Sequence, residues 1–170
     1  MQKIAFLDRD GVIIYDHGYM HDTEKITILP NVIEGLHELK KLGYLFIIIS
    51  NQAGVGRNYF TKEAAEQFHS KVLQCLSDNN IEIGHSYFCY HIPTDNCECR
   101  KPNIGMFEQA AADFSVDIEK SIMVGDKDAD TTFGNSANLK TFRIKGNQYP
   151  TTVQATHEVV DLLEVAQILL

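Results

Sequence analysis

Residues 3–14 read KIAFLDRDGVII: an apolar run, two aspartates with one residue between them, and an immediate return to apolar side chains. The run from Lys3 to Leu7 has the length and composition of a buried strand, and it delivers Asp8 and Asp10 to its carboxyl end. Asp-Gly after a strand is also the mark of a hairpin turn. Val12, Ile13 and Ile14 are too apolar for a turn open to solvent. Gly11 supplies the backbone freedom that a sharp change of direction needs.

Outward from this stretch the pattern repeats. NVIEGLHELKKLG places Ile33, Leu36, Leu39 and Leu42 on one helical face, with Asn31 as the expected N-cap and Gly43 as the C-terminal stop. YLFIII, Tyr44 to Ile49, is a continuous apolar run of the kind found in central parallel strands, and it ends in Ser50, Asn51 and Gln52. Thr61 can cap a second helix in which Phe68, Val72, Cys75 and Leu76 recur at helical spacing. A weaker strand spans Ser86 to Tyr90, and a third helix carries Met106, Phe107, Ala110, Ala111 and Phe114. Ser121 to Val124 predicts a strand ending at Gly125-Asp126, followed by a short helix from Ala129, a strand at Thr141 to Ile144, and a strand and helix from His157 to Leu170. This alternation predicts an α/β fold, a three-layer, doubly wound and mostly parallel Rossmann-like sheet, as one domain over residues 1–170. Ligands in such folds bind outside the carboxyl ends of the strands, so the polar residues after Leu7, Ile49, Tyr90 and Val124 are expected to converge.

A chain of 170 residues can bury about two thirds of its unfolded surface. Its apolar fraction of 44% and its lack of low-complexity runs mark an ordinary globular protein. The net charge of −8 argues against a nucleic acid partner, which needs a basic face to neutralise phosphates. The start, MQKIAFLDRDGVII, is broken by Asp8, Arg9 and Asp10 and reads as neither a signal peptide nor a membrane span. The expectation is a cytosolic protein with no membrane partner. A monomer is expected because no large apolar stripe is left over.

Two carboxylates at one strand end can divide the work of phosphoryl transfer. One attacks phosphorus while the other gives a proton to the leaving oxygen and later takes one from water. A carboxylate and a phosphate repel each other, so a cation must stand between them, and Mg²⁺ favours carboxylate oxygen, water and phosphate. VGDKDAD supplies further carboxylates, Asp126 at a strand end and Asp130 one helical turn later on the same face. Ser50 can donate a hydroxyl hydrogen to a phosphoryl oxygen, with the Asn51 and Gln52 amides in the same turn. Lys101 offers the fixed positive charge. Taken singly these stretches also read as a solvated acidic turn, a helix cap and a surface turn; convergence is what joins them.

Residues 89–102, CYHIPTDNCECRKP, hold three of the four cysteines and a histidine just ahead of Arg100 and Lys101. Cys97 and Cys99 are too close for a relaxed disulfide loop, and a reducing compartment disfavours one. Cys89, His91, Cys97 and Cys99 make a complete Cys₃His set with no position left for substrate, as in structural zinc sites. One residue within each pair is tighter than the usual Cys-x₂₋₄-Cys. The expected zinc loop covers residues 89–99. Cys75 is expected to be a buried thiol.

In order and spacing, DRDGV, the Ser of IISNQ, the Lys of CRKP and GDKDAD resemble the four motifs of the haloacid dehalogenase superfamily of phosphatases, over roughly residues 3–145. The resemblance implies Asp8 as a nucleophile forming an aspartyl phosphate and Asp10 as general acid and base. It also implies Ser50 and Lys101 as phosphate-binding groups, Mg²⁺ held by Asp8, the Asp10 backbone carbonyl and Asp126, and Asp130 as an auxiliary acid. No large cap domain is expected, because no gap between motifs exceeds one βα unit. Within the superfamily the chain looks most like the D-glycero-D-manno-heptose 1,7-bisphosphate phosphatases, with the histidinol-phosphate phosphatases next. Both groups carry a zinc loop of the type Cys-x-His followed by Cys-x-Cys-Arg-Lys-Pro. DHGYMH, Asp16 to His21, and NQAGVGRNYFT, Asn51 to Thr61, look like the substrate loops of the heptose group. They imply a sugar bisphosphate substrate in lipopolysaccharide-core or nucleotide-heptose synthesis. The five residues between His91 and Cys97 look more like the histidinol-phosphate enzymes. His17 and Tyr19 are candidate substrate contacts, and Arg57 and Arg100 are candidates for a second phosphate. The alternative outside the enzyme class is a non-catalytic zinc-binding module on this fold; the intact Asp pair and Lys101 speak against it.

Overall fold

The computed structural model describes residues 1–146 and 148–170. The strands are β1 (Lys3–Leu7), β2 (Tyr44–Asn51), β3 (His85–Cys89), β4 (Ile122–Gly125), β5 (Lys140–Ile144) and β6 (His157–Val159). They form one sheet in the order β3-β2-β1-β4-β5-β6, with every pairing parallel. The chain builds outward from β1 to β3, returns to place β4 on the other side of β1, and builds outward again. The strand order therefore reverses between β1 and β4, which is where ligands bind in doubly wound sheets.

Successive residues of a strand face opposite sides, and both sides are covered. Ala5, Leu7 and Ile48 pack with Leu36 and Leu39 of α1 (Val32–Lys41), Phe68 and Val72 of α3 (Lys62–Ser77), and Val165 of α6 (Leu162–Leu169). Ile4, Phe6 and Met123 face the other way, onto Met106 and Phe107 of α4 (Gly105–Asp113) and Phe133 of α5 (Asp128–Ser136). The result is the expected three-layer α/β/α arrangement. No helix among the described residues is long and apolar enough to cross a membrane.

Local signals hold at Thr61, whose hydroxyl accepts from the Ala64 amide, and at Gly43, which ends α1 with a φ of 86°. Asn31 departs from expectation. Its φ of 60° is left-handed and its side chain caps nothing on α1; Nδ2 instead donates to Asp161 Oδ2, at 2.7 Å, at the start of α6. An N-cap needs an extended backbone to fold its side chain back, and the left-handed geometry forbids that. Cys75 is half-buried rather than buried, because the inner positions of α3 go to Phe68, Val72 and Leu76. β2 continues through Ser50 and Asn51, and the four-residue helix α2 (Ala53–Gly56) follows, which periodicity could not reveal.

Candidate active site

β1, β2 and β4 end side by side, and the loop after β3 comes back to meet them. Asp8, Asp10, Asn51, Lys101, Lys127, Ala129 and Asp130 line a cavity of about 40 Å³, room for about three waters or one phosphoryl group. Asp8 and Asp130 lie there with Asp126, their carboxylate oxygens within 4.8 Å of one another. Gly11 lets this happen: its φ is 85°, and a Cβ on it would overlap the Asp126 carboxylate.

Asp8 is fixed on one side only. Its Oδ1 accepts from the Arg9 amide at 2.8 Å and from Lys101 Nζ at 3.0 Å. Lys101 Nζ also donates to Asp130 Oδ1 at 2.6 Å and to the Ile49 carbonyl at 2.8 Å, so its three N–H bonds are all spoken for. Burial alone would lower the Lys101 pKa, but Asp130 and Asp8 raise it above the ordinary value. Asp130 Oδ2 reaches back to the amides of Asp126 and Lys127, at 3.2 and 3.1 Å, and so fixes the turn from β4 into α5.

Asp10 is held from behind. Arg9 is almost fully buried, its guanidinium lies 4.8 Å from the Phe68 ring centroid, and its Nε and Nη2 donate to Asp10 Oδ1 and Oδ2 at 2.8 and 3.2 Å. Gln52 Nε2 adds bonds to Asp10 Oδ2 at 3.1 Å and to Ser50 Oγ at 2.8 Å. The Gln52 amide, expected in a phosphate-binding turn, donates instead to the Cys89 carbonyl at 2.7 Å, because the strand pairing runs on to that point. Asn51 ties β2 to the basic loop: its side chain exchanges two 3.0 Å bonds with the Lys101 backbone. Arg9 and Gln52 act on Asp10 rather than line the cavity.

The carboxylates stand at a cost. Burial, then the Asp130 charge, push the Asp8 carboxyl up to about 6. Burial and the Asp8 charge push Asp126 up to about 8. Asp126 Oδ1 is buried and accepts no hydrogen bond. An unsatisfied buried oxygen beside two more carboxylates is the donor set of a hard divalent cation such as Mg²⁺.

The second cluster is local. Cys89 Sγ lies 3.5 Å from His91 Nδ1 and from Cys97 Sγ, Cys99 Sγ lies 3.5 Å from Cys97 Sγ, and His91 Nδ1 lies 3.3 Å from Cys99 Sγ. Ligands of a tetrahedral zinc with ~2.3 Å bonds stand about 3.8 Å apart, so the four atoms fit that ion with little movement. Burial would raise the Cys97 thiol, but the Arg100 amide and the neighbouring sulfurs draw it down to about 7, toward the thiolate a metal needs. Arg100 Nη1 donates to the His91 carbonyl at 3.2 Å, tying the basic pair to this loop.

The two stretches read as substrate loops pack on each other. Tyr19 meets Tyr59 edge-on at 4.8 Å, and His21 stacks on Phe60 at 4.7 Å. Gly54 sits against Phe60 and Tyr19, where a side chain would clash. His17 is exposed, with its ring 6.2 Å from Tyr15, and Arg57 is exposed at the end of α2. Neither lines the small cavity.

Lys127 and Tyr149 were not singled out by sequence, and Asp16 was read only as the first residue of a substrate loop. Lys127 Nζ donates to Asp16 Oδ2 at 3.1 Å, and the Tyr149 hydroxyl donates to the same oxygen at 2.7 Å. Lys127 is visible inside GDKDAD and Asp16 inside DHGYMH; the contact of Asp16 with Tyr149, 133 positions away, left no local signal.

The family described as "Polynucleotide kinase 3 phosphatase" matches residues 3–161. A D-glycero-beta-D-manno-heptose-1,7-bisphosphate 7-phosphatase of Haemophilus influenzae is 36% identical over 146 residues, covering 82% of this chain and 79% of that protein. The chain belongs to the haloacid dehalogenase-type phosphatases. Among other phosphatases of this type, a D-glycero-alpha-D-manno-heptose-1,7-bisphosphate 7-phosphatase of Photorhabdus laumondii is also 36% identical, over 88% of this chain and 86% of that one. The crystal structure of D,D-heptose 1,7-bisphosphate phosphatase from B. bronchiseptica, complexed with magnesium and phosphate, superposes with a TM-score of 0.89 at 27% identity, over 99% of this chain and 98% of that chain. As a phosphatase of this type the chain is a phosphoric monoester hydrolase.

Proposed function

We propose that this phosphatase removes the 7-phosphate of a D-glycero-D-manno-heptose 1,7-bisphosphate by way of an aspartyl phosphate on Asp8, in heptose biosynthesis in the cytosol. The observation that carries the proposal is the meeting of Asp8, Asp10, Lys101 and Asp126 where the strand order reverses, in a chain that matches heptose bisphosphate phosphatases over 82% of its length.

Asp8 Oδ1 is occupied by the Arg9 amide and Lys101, and Oδ2 takes part in neither bond, so Oδ2 is the atom that attacks phosphorus. As the phosphorus–oxygen bond to the sugar breaks, Asp10 passes a proton to the departing oxygen. Asp10 then takes a proton from the water that attacks the aspartyl phosphate, which frees inorganic phosphate and restores Asp8. The three donors from Arg9 and Gln52 suit the ionised Asp10 of this second half. Oδ1 accepts only one of the three, so it keeps a lone pair for the proton that the first half needs.

Asp8, Asp126 and the Asp10 carbonyl would hold Mg²⁺, which screens the attacking carboxylate from the phosphate and neutralises charge on the phosphoryl oxygens. Cys89, His91, Cys97 and Cys99 would hold a structural Zn²⁺ that fixes the loop bearing Arg100 and Lys101. With no large cap, substrate choice falls to the paired loops around Tyr19 and Tyr59 and to Arg57 and Arg100, which can meet the second phosphate of a bisphosphate.

The test is kcat/KM on both anomers of the heptose bisphosphate and on histidinol phosphate. One heptose anomer is expected to exceed histidinol phosphate by about 100-fold, because histidinol phosphate has no second phosphate for Arg57 and Arg100 to meet. A preference for histidinol phosphate would overturn the substrate assignment.

A further inference from the structure

The short helix α2 holds two glycines, and neither has the positive φ that would demand one. At a helical position alanine is the better residue, so what these glycines supply is space. Gly54 takes the rings of Phe60 and Tyr19. Gly56 meets the Cys₃His loop instead. A Cβ on Gly56 would overlap the Tyr90 carbonyl oxygen and stand 3.2 Å from Ile92 Cγ2 and 3.3 Å from the Ile92 amide nitrogen. Tyr90 and Ile92 flank His91, one member of that cluster.

The backbone that Gly56 touches has little room to give way. The Cys89 carbonyl accepts from the Gln52 amide at 2.7 Å, the His91 carbonyl accepts from Arg100 at 3.2 Å, and the Ile92 amide donates to Asp95 Oδ2 at 2.9 Å. The other side of the contact is equally tied. Asn51 is bonded to the Lys101 backbone, and Lys62 Nζ lies 5.5 Å from the Tyr90 ring centroid, so both ends of segment 51–62 are moored to the same loop. Between them the chain turns tightly. The Arg57 amide donates to the Ala53 carbonyl at 2.9 Å, the Asn58 amide to the Val55 carbonyl at 3.0 Å, and the Tyr59 amide to the Gly54 carbonyl at 2.9 Å. Arg57, Tyr59 and Phe60 therefore travel with α2, and α2 rests on Tyr90 and Ile92 through Gly56.

We propose that Gly56 is a positioning residue for substrate selection: by seating α2 on the backbone of the Cys₃His loop, it makes the place of that loop decide the place of Arg57 and of the aromatic side chains after it. The proposal rests on the assignment of Arg57 and the paired loops to substrate recognition. The Cys₃His loop then serves the reaction at two points. Its end presents Arg100 and Lys101, and its middle sets how closely Arg57 can approach the far part of the substrate. Order at the metal cluster thereby governs affinity as well as chemistry.

Gly56→Ala separates these two points. KM for the heptose bisphosphate is expected to rise about tenfold with kcat changed about twofold or less, the pattern of lost binding rather than lost chemistry. In an Arg57→Ala background the same change should cost about threefold or less, because the group it displaces is gone. A fall in kcat with KM unchanged, or an undiminished tenfold loss in that background, overturns the proposal. Hydrogen–deuterium exchange gives a readout that needs no turnover. Exchange at the amides of Arg57, Asn58 and Tyr59 should quicken about tenfold in zinc-loaded Gly56→Ala, and again in wild type stripped of zinc with Mg²⁺ kept present, while the amides of β1 stay as protected as before. Unaltered exchange at these three amides, or a rise shared equally by β1, overturns it as well. If exchange responds as expected but the wild type does not hydrolyse the heptose bisphosphate, the substrate assignment falls and the seating of α2 on the Cys₃His loop stands.

Discussion

The two clusters suited to metal ions are built in opposite ways. The carboxylates Asp8, Asp126 and Asp130 come from two strand ends and a helix, are largely buried, and repel one another enough to push Asp8 to about 6 and Asp126 to about 8. The Cys₃His cluster comes from one stretch of eleven residues, Cys89 to Cys99, which runs from the buried end of β3 out to an exposed His91. The first exists because the sheet brings distant residues together, and it is held under electrostatic tension. The second is assembled by a short loop and shapes that loop in turn. Fold stability sustains the carboxylates, whereas the proposed zinc would sustain the thiolates.

The sharpest way to break this contrast is Asp8→Asn. Turnover should fall about 10⁴-fold or more, because the attacking oxygen becomes part of an amide. The same variant should melt a few degrees higher than wild type in Mg²⁺-free buffer at pH 8, since one buried negative charge is removed while the amide oxygen can still accept from Lys101. A lower melting temperature there would show that the cluster is not under strain. Cys97→Ser tests the other side. It should abolish bound zinc in elemental analysis, lower the melting temperature, and reduce kcat/KM about 10- to 100-fold through the loop that carries Arg100 and Lys101. Asp8→Asn should leave zinc content unchanged.

The smallest effect is a pH dependence. A carboxyl with a raised pKa keeps, in the folded protein, a proton that the unfolded chain has already released. Without Mg²⁺ the contribution of Asp8 and Asp126 to stability is therefore full below the ordinary value of 3.8 and is lost as pH rises through about 6 and about 8. Mg²⁺ binds the ionised forms, so its gain in melting temperature should be larger at pH 8 than at pH 5 by a few degrees. An equal gain at both values would remove these carboxyls from the metal site.

What could be seen in the sequence follows the same division. The strand ends at Leu7, Ile49 and Val124 were legible because continuous apolar runs stop abruptly at polar residues, and the alternation of elements then fixed where those ends meet. The Cys₃His cluster was legible because its members are neighbours in sequence. Arg9 carried no role in the sequence reading, and its burial over Phe68 is what makes it the support of Asp10. Lys127 and Tyr149 share one oxygen of Asp16 across 111 and 133 positions, a contact no spacing rule encodes. Asn31 misled because residue type alone does not report backbone geometry.

The face-to-edge contact of Tyr19 with Tyr59 and the stacking of His21 on Phe60 carry a consequence for changing what this enzyme accepts. Residues 16–21 and 51–61 form a single interlocked unit despite their distance along the chain, with Gly54 as the hollow that receives the rings. Transplanting one of them from a relative would leave two aromatic faces without partners. Any chimera or library aimed at new substrates has to exchange both segments together, as matched halves.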